Sequence, residues 1–474
     1  MTLNPLAPEW LVHPDDANAL PASVWSRTSA RTASGELEIG GVTAADIVGE
    51  FGTPVYVVDE ADARGRADEA HEAFSREFAR VGSAAKVYYA GKAFLSTEIA
   101  RWVTEAGLNI DVCSGGELAV VLAAGIEPSR LGFHGNNKSI AEIDRAVATG
   151  VGVIVIDSTV EIDRVAEAAS RHGVVQAVRL RVNSGVHAHT HEYLATARED
   201  QKFGIALADA ADAVAAIRAR PTLEFLGLHS HIGSQIFDSD GFAAAASRLL
   251  ELHARLLADG PVPELNLGGG FGIAYTSVDV ALSLGELARR LADIVAAECA
   301  RLGIPVPIVA VEPGRAIIGP SATTLYTVGT IKDVEVSLER GSAIRKYVSI
   351  DGGMSDNVRP ALYAADYSVR MANRASDADP ALVRIAGKHC ESGDIVVHAD
   401  YLPGDVRPDD LVAVPATGAY CWSLASNYNY LGRPPVVAVR DGRARVIVRG
   451  ETEADLLSRD AGVSTSSTNG KGTR

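Results

Sequence analysis

Late in the chain, the stretch "KHCESGD" at 388–394 sets a Lys, a His, a Cys, a Glu and an Asp within seven residues. That mixture suits a metal, a redox thiol or acid–base chemistry. One Cys and one His without a second pair make metal and redox weak readings. A second set of reactive side chains lies earlier and is spaced out along the chain. Lys92 follows "KVYYA", Asp111 sits in "LNIDV", and His134 with Asn136 follows "LGF". Asn183 follows "AVRLRV", while His229, His231 and Ser234 lie at and beyond "FLGL". Gly268, Gly269, Gly270 and Gly272 follow "ELNL", and Glu312 with Arg315 follows "PIVAV".

Those apolar runs are the elements that must position the set. Eight of them alternate, between residues 51 and 320, with Ala-rich stretches of helical period, several of which end in Gly. Near-continuous apolar runs are strands buried on both faces of a parallel sheet. Eight strand–helix units predict a closed (β/α)₈ barrel of the TIM type, whose chemistry sits at the C-terminal strand ends. A doubly wound open sheet is the alternative, but no GxGxxG turn follows the first strand. After about residue 322, strand-like runs broken by Gly, Pro and Asp predict a second, mostly antiparallel β domain. "GELEIGG" (35–41) has the same alternation. The expected division is an N-terminal segment 1–48 whose strand joins the β domain, a barrel 49–322, the β domain 323–460 and a disordered tail 461–474.

The 474 residues are 47% hydrophobic, enough for two large cores, and the net charge of −16 disfavours nucleic acid and anionic membranes as partners. No apolar run is long enough to span a bilayer, and the N-terminus lacks the pattern of a secretory signal. Four scattered cysteines without a CxxC fit a reducing cytoplasm.

A Lys at a strand end can form a Schiff base with a carbonyl. Glycines after strand seven, with Arg315 one loop later, suit a phosphate. An acidic residue completes the set needed to hold pyridoxal 5′-phosphate, with Glu312 as partner of its ring nitrogen and His231 stacked on the ring. The bland alternatives are a lysine reaching solvent and glycines that only make a turn. A barrel metallohydrolase is a rival, since HxH occurs in "HSH" and in "VHAHTH" (186–191). Such enzymes present HxH at strand one, where this chain has Lys92, so no metal is expected. The stretch around 187–191 is expected to be a loop folded over the site.

The set "YAGKAF", "DVCSGGEL", "HGNNKS", "LHSHIGSQI", "LGGGFGI", "EPGRAI", "DGGMSDNVRPALY", "CESGD" and "ATGAY" closely resembles the diaminopimelate decarboxylase family. These are pyridoxal phosphate-dependent decarboxylases on an alanine-racemase-like barrel. The likeness runs from about residue 35 to 457. It implies decarboxylation of meso-2,6-diaminopimelate to L-lysine, with Lys92 bonding the cofactor. It assigns Asp111, His231, Ser234, Gly268, Gly269, Gly270, Glu312, Pro313, Gly314, Arg315 and Tyr420 to cofactor binding. Arg315, Arg359, Tyr363, Glu391 and Tyr420 are implied for the substrate. Cys390 is implied as a proton donor from the second subunit of a homodimer, and Lys92, Cys390, Glu312 and His231 as the catalytic group. Gly91 departs from the pattern, where a slightly larger residue is expected, as does Ser184, where Pro is common. Alternatives are a sibling decarboxylase acting on ornithine, arginine or carboxynorspermidine, or a racemase on the same barrel.

Overall fold

The computed structural model describes residues 4–186, 202–339 and 341–463. Eight parallel strands pair in chain order: Ala85–Ala90, Asn109–Val112, Leu131–Phe133, Val153–Ile156, Gln176–Asn183, Leu223–His229, Glu264–Asn266 and Ile308–Val311. The last pairs with the first, Val311 opposite Val87, and the barrel is closed. The apolar runs that mark these strands are buried on both faces, as a parallel sheet under a ring of helices requires. Local signals start and stop the helices. Ser96, Ser114, Ser139 and Ser283 each accept a first-turn amide hydrogen with the side chain. Gly150, Gly173 and Gly303 end theirs in the left-handed conformation. Strand eight is followed only by the short helix Arg315–Ile318. The longer Glu60–Arg80, which precedes strand one, fills the eighth outer place beside Leu284–Leu302.

The lower part of the barrel is filled by charge. Arg179 is fully buried and donates to Glu264 Oε2 from Nε (2.9 Å) and Nη2 (2.6 Å), while Lys86 bonds the other oxygen. The Arg179 guanidinium also lies 5.0 Å from the ring centre of Tyr88.

The second domain is a mostly antiparallel sheet built on Ala322–Ser337, Ser342–Ile350, Pro380–Ala386, Ile395–Pro403, Leu411–Pro415, Val436–Arg440 and Arg443–Val448. Two of its pairings are parallel. The strand expected at 35–41 is tied to the β domain by one backbone bond, Leu37 N–H to the Ala372 carbonyl at 2.8 Å, and not by a ladder. Leu37–Ile39 forms its own small sheet with Ala30–Arg31 and Val42–Thr43. The strand that joins the large sheet is Val55–Asp59, between Ala322–Ser337 and Val436–Arg440. The burial pattern explains the exchange. "VYVVD" is buried at all five positions and suits the middle of a sheet, whereas Leu37 and Ile39 flank a half-exposed Glu38. One face is therefore enough for 37–39, which lies over Val55, Val57, Val437 and Val439. By pairing, Val55–Asp59 goes with the β sheet, and the outer helix Glu60–Arg80 follows it directly. The expected disordered tail lies outside the described residues from 464 onward. No described helix is long and apolar enough to cross a membrane.

Glu264→Gln removes the counter-charge of Arg179 and is expected to cost about 3–5 kcal/mol in urea unfolding at a fixed protein concentration. A loss under about 1 kcal/mol would mean that solvent already screens the pair.

Candidate active site

Lys92 stands at the barrel mouth two residues after strand one, exposed to the opening but walled by protein on its other sides. Gly91 before it is a packing requirement: a Cβ there would sit 2.8 Å from the Asp111 carbonyl, to which Gly91 N–H donates at 2.9 Å. Burial pulls the Lys92 ammonium down, but Tyr420, Cys113 and Glu312 outweigh it and its pKa lies above the usual value.

At the end of the neighbouring strand eight, Glu312 is the centre of a buried polar cluster. Its Oε1 accepts Asn266 Nδ2–H at 2.8 Å and lies 3.0 Å from His229 Nε2 and 3.7 Å from His134 Nε2. His134 Nε2 is 3.0 Å from Asp111 Oδ1, and the two imidazoles meet edge to face at 5.2 Å. Burial lowers both histidines to about 4, so at neutral pH they are uncharged. Burial would raise Glu312, yet His229 and His134 beside it hold it well below the usual carboxylate range. Asp111 goes the other way, raised by burial and then by the charge of Glu312. The two carboxyl groups are thus shifted in opposite directions.

The glycine loop packs against this cluster. A Cβ on Gly269 would fall 2.1 Å from the Glu312 carbonyl, and one on Gly270 2.2 Å from that of Gly233. Gly268 N–H donates to Asn266 Oδ1 (2.8 Å) and Gly269 N–H to His231 Nδ1 (3.2 Å). Two of the three amides expected to face a phosphate are thus spent inside the protein. Among the described residues Gly270 N–H has no acceptor, and Gly233, next to Ser234, packs against Gly270. Arg315 Nη2 donates to Ser234 Oγ at 2.7 Å and Nη1 bonds the Tyr275 hydroxyl. Its guanidinium lies 4.7 Å from the ring centre of Tyr420, whose backbone is left-handed (φ 63°) and tied to the Ala93 carbonyl at 2.8 Å. Pro313 and Gly314 carry the chain from Glu312 to Arg315.

Arg359 comes from the β domain and is buried beside the same loop, 4.5 Å from the ring centre of Tyr275 and bonded to the Tyr367 hydroxyl. Three expected residues are not brought to Lys92 within this chain. Tyr363 is exposed. Cys390 and Glu391 are exposed and bond only within the β domain, Cys390 N–H to Asn429 Oδ1 (3.3 Å) and Glu391 to its neighbours Ser392 and Gly393. The rest of that stretch is scaffold. Asp394 accepts from His389 N–H (2.8 Å) and Met354 N–H (2.6 Å), and the His389 ring spans Asn429 and Ser355. Of the functional neighbours, Asn266, Tyr275 and Tyr367 carried no sequence signal beyond a polar residue inside "ELNLGGG". His134 and His229 were visible only as polar strand ends. The histidines at 187–191 lie outside the described residues.

The donor set fits a ring with a phosphate. Asp111 Oδ1 and Oδ2, His229 Nδ1 and Arg315 Nε are buried without a hydrogen-bond partner among the described residues, and polar edges of a ligand would satisfy them. His134, His229 and Glu312 also bring ligating atoms within 4.8 Å of one another, but Asn266 already occupies Glu312 Oε1.

Residues 64–319 match the model of the pyridoxal-dependent decarboxylase family, pyridoxal binding domain. A Mycobacterium leprae protein named diaminopimelate decarboxylase is 52% identical over 466 residues, covering 96% of each chain. A Bacillus subtilis protein of the same name is 42% identical and covers 91% of this chain and 97% of its own. The crystal structure of diaminopimelate decarboxylase from M. jannaschii in complex with L-lysine matches with a TM-score of 0.83 at 30% identity, over 92% of this chain and 98% of that one.

The neutral histidines give the site a pH signature. Both are lowered from 6.5 to about 4 in the fold, so the unfolded chain binds more protons between those values. Stability is complete above pH 6.5 and falls as pH drops toward 4, by up to about 1.4 kcal/mol per pH unit for each histidine. His229→Gln is expected to flatten that slope in denaturant titrations taken at several pH values. An unchanged slope would assign the acid sensitivity to other groups.

Proposed function

Because this chain belongs to the diaminopimelate decarboxylase family of pyridoxal-dependent enzymes, we propose that its barrel mouth is one half of a decarboxylase site whose other half comes from a second copy. The enzyme is a carboxy-lyase that takes meso-2,6-diaminopimelate to L-lysine and CO₂, the last step of lysine biosynthesis. The observation that carries the residue assignment is Glu312: a buried carboxylate held by Asn266 and His229 at the end of strand eight, beside the strand that carries Lys92.

Pyridoxal 5′-phosphate, when bound, supplies a reactive carbonyl and an electron sink for the charge left by departing CO₂. Lys92 would hold it through Nζ and Glu312 would keep its ring nitrogen protonated. His231 would cover the ring face, with Asp111 along its polar edge. Ser234, Gly270, Arg315 and Tyr420, with the backbone of Gly268, Gly269, Pro313 and Gly314, would surround the phosphate.

For the substrate, Arg315 and Arg359 offer planar forks to the distal carboxylate, and Glu391 pairs the distal ammonium, with Tyr363 and Tyr420 beside them. The scissile carboxylate is left without a salt bridge in a site walled from water, so losing its charge costs little. Cys390 Sγ then returns a proton to the carbon that lost CO₂.

Cys390, Glu391 and Tyr363 point outward from a rigid β-domain loop region that also exposes Leu362 and Tyr430. A homodimer that buries this surface against the partner's barrel mouth completes both sites at once. The cytoplasm suits a donor thiol that must stay reduced, and none of the four cysteines is paired. On this reading the β domain takes in Val55–Asp59 and the strands between Ala322 and Val448, around a barrel of 60–321.

Two outcomes test this reading. Purified protein is expected to be yellow, and Lys92→Ala to lose the visible absorbance of the lysine-bound cofactor; a variant that keeps it would remove Lys92 from its role. Cys390→Ala is expected to lose about 10²–10⁴-fold in kcat. Mixing the two inactive proteins under subunit exchange should restore about a quarter of wild-type activity, because half of the dimers are mixed and each has one intact site. No recovery would place Cys390 over its own Lys92.

A further inference from the structure

Four arginines are buried in the described structure: Arg179, Arg315, Arg359 and Arg370. Two have carboxylate partners. Arg179 bonds Glu264 at 2.6 Å, and Arg370 bonds Asp400 at 2.9 Å. Arg315 and Arg359 have none among the described residues. A buried cation without a counter-charge is costly, so a pair of them marks the place of an anion.

The two come from different domains and meet at one side chain. Tyr275 follows the glycine loop of strand seven and is 5% exposed. Its hydroxyl accepts from Arg315 Nη1, and its ring centre lies 4.5 Å from the Arg359 guanidinium carbon and 5.8 Å from that of Arg315. Its ring also meets that of Tyr367 edge to face at 5.0 Å, and Tyr367 accepts from Arg359 Nη1. The Tyr275 carbonyl accepts Ser368 Oγ–H at 3.1 Å, and its amide donates to Asp279 at 2.9 Å, so the backbone is fixed from both sides.

Two guanidiniums would repel each other and swing apart if nothing held them. A tyrosine is suited to hold both without neutralising either. Its hydroxyl oxygen orients one fork, and its π face attracts the other cation. An aspartate in the same place would consume the charge that the ligand must meet.

We propose that Tyr275 is a positioning residue for substrate specificity, holding Arg315 and Arg359 as one receptor for the single carboxylate that the reaction leaves in place. This rests on the assignment of the two arginines to the substrate's distal end. Tyr275 touches neither the reacting carbon nor the leaving carboxylate, so its effect belongs in binding and not in the chemical step.

The test uses the holoenzyme and two ligands that differ by that carboxylate alone, L-lysine and 1,5-diaminopentane. Binding is read from the change in cofactor absorbance. Tyr275→Phe removes the hydroxyl and keeps the ring. It is expected to weaken L-lysine about tenfold, to leave the diamine unchanged, and to raise KM for diaminopimelate by a similar factor with kcat within about twofold. Equal weakening of both ligands, or unchanged L-lysine binding, would overturn the inference. Arg359→Lys separates the two levels. If it weakens L-lysine while Tyr275→Phe does not, only the role of Tyr275 fails. If neither variant weakens L-lysine, the assignment of the arginines to the carboxylate fails with it.

Discussion

The Asn266 amide joins what would otherwise be separate loops. Its nitrogen holds the Glu312 carboxylate, and its oxygen holds the amide of Gly268. The backbone repeats the link, since Glu312 N–H donates to the Gly268 carbonyl at 2.9 Å. Through Gly269 and His231 Nδ1 the same array reaches the loop after strand six. The groups proposed for the ring nitrogen, the ring face and the phosphate are thus set by one chain of hydrogen bonds with no slack in it. The two links through Asn266 are buried, where a broken bond leaves an orphaned polar atom and costs more than the bond itself contributes.

The electrostatics follow from this enclosure. Four titratable groups, Asp111, His134, His229 and Glu312, share a volume that tolerates little charge. The site resolves the conflict by keeping charge on the one carboxylate with two nitrogen neighbours at hydrogen-bond distance and leaving the imidazoles neutral. Beside this cluster the balance is reversed, and the guanidiniums of Arg315 and Arg359 stand without a carboxylate among the described residues. The barrel opening therefore holds a fixed anion and fixed cations before any ligand arrives.

Much of this was legible in the sequence because it depends on local pattern. Eight apolar runs with Gly-terminated helices between them specify the barrel, and strand-end position singles out Lys92, Glu312 and Arg315. What escaped depends on distant partners. Val55–Asp59 has the texture of a barrel strand, and only its neighbours, Ala322–Ser337 and Val436–Arg440, make it part of the other sheet. The glycine run pointed to an anion loop, but close backbone approach explains Gly269, and two of the amides serve Asn266 and His231. Tyr275 and Tyr367 look like ordinary core aromatics until the arginines they hold are seen. Gly91, an apparent departure from the family pattern, is explained by a contact with Asp111 that no local pattern encodes.

The stretch at 388–394 has a kinetic meaning. Asp394 clasps the amides of His389 and Met354, and Asn429 clasps Cys390, so the loop is already shaped in the single chain. In the shared-site arrangement, this loop would meet the partner already formed and would not have to fold on contact. Association of that kind is limited by orientation, not by ordering. Each encounter would then yield a working site or none, and dilution would change how many sites exist without altering how well any one of them works.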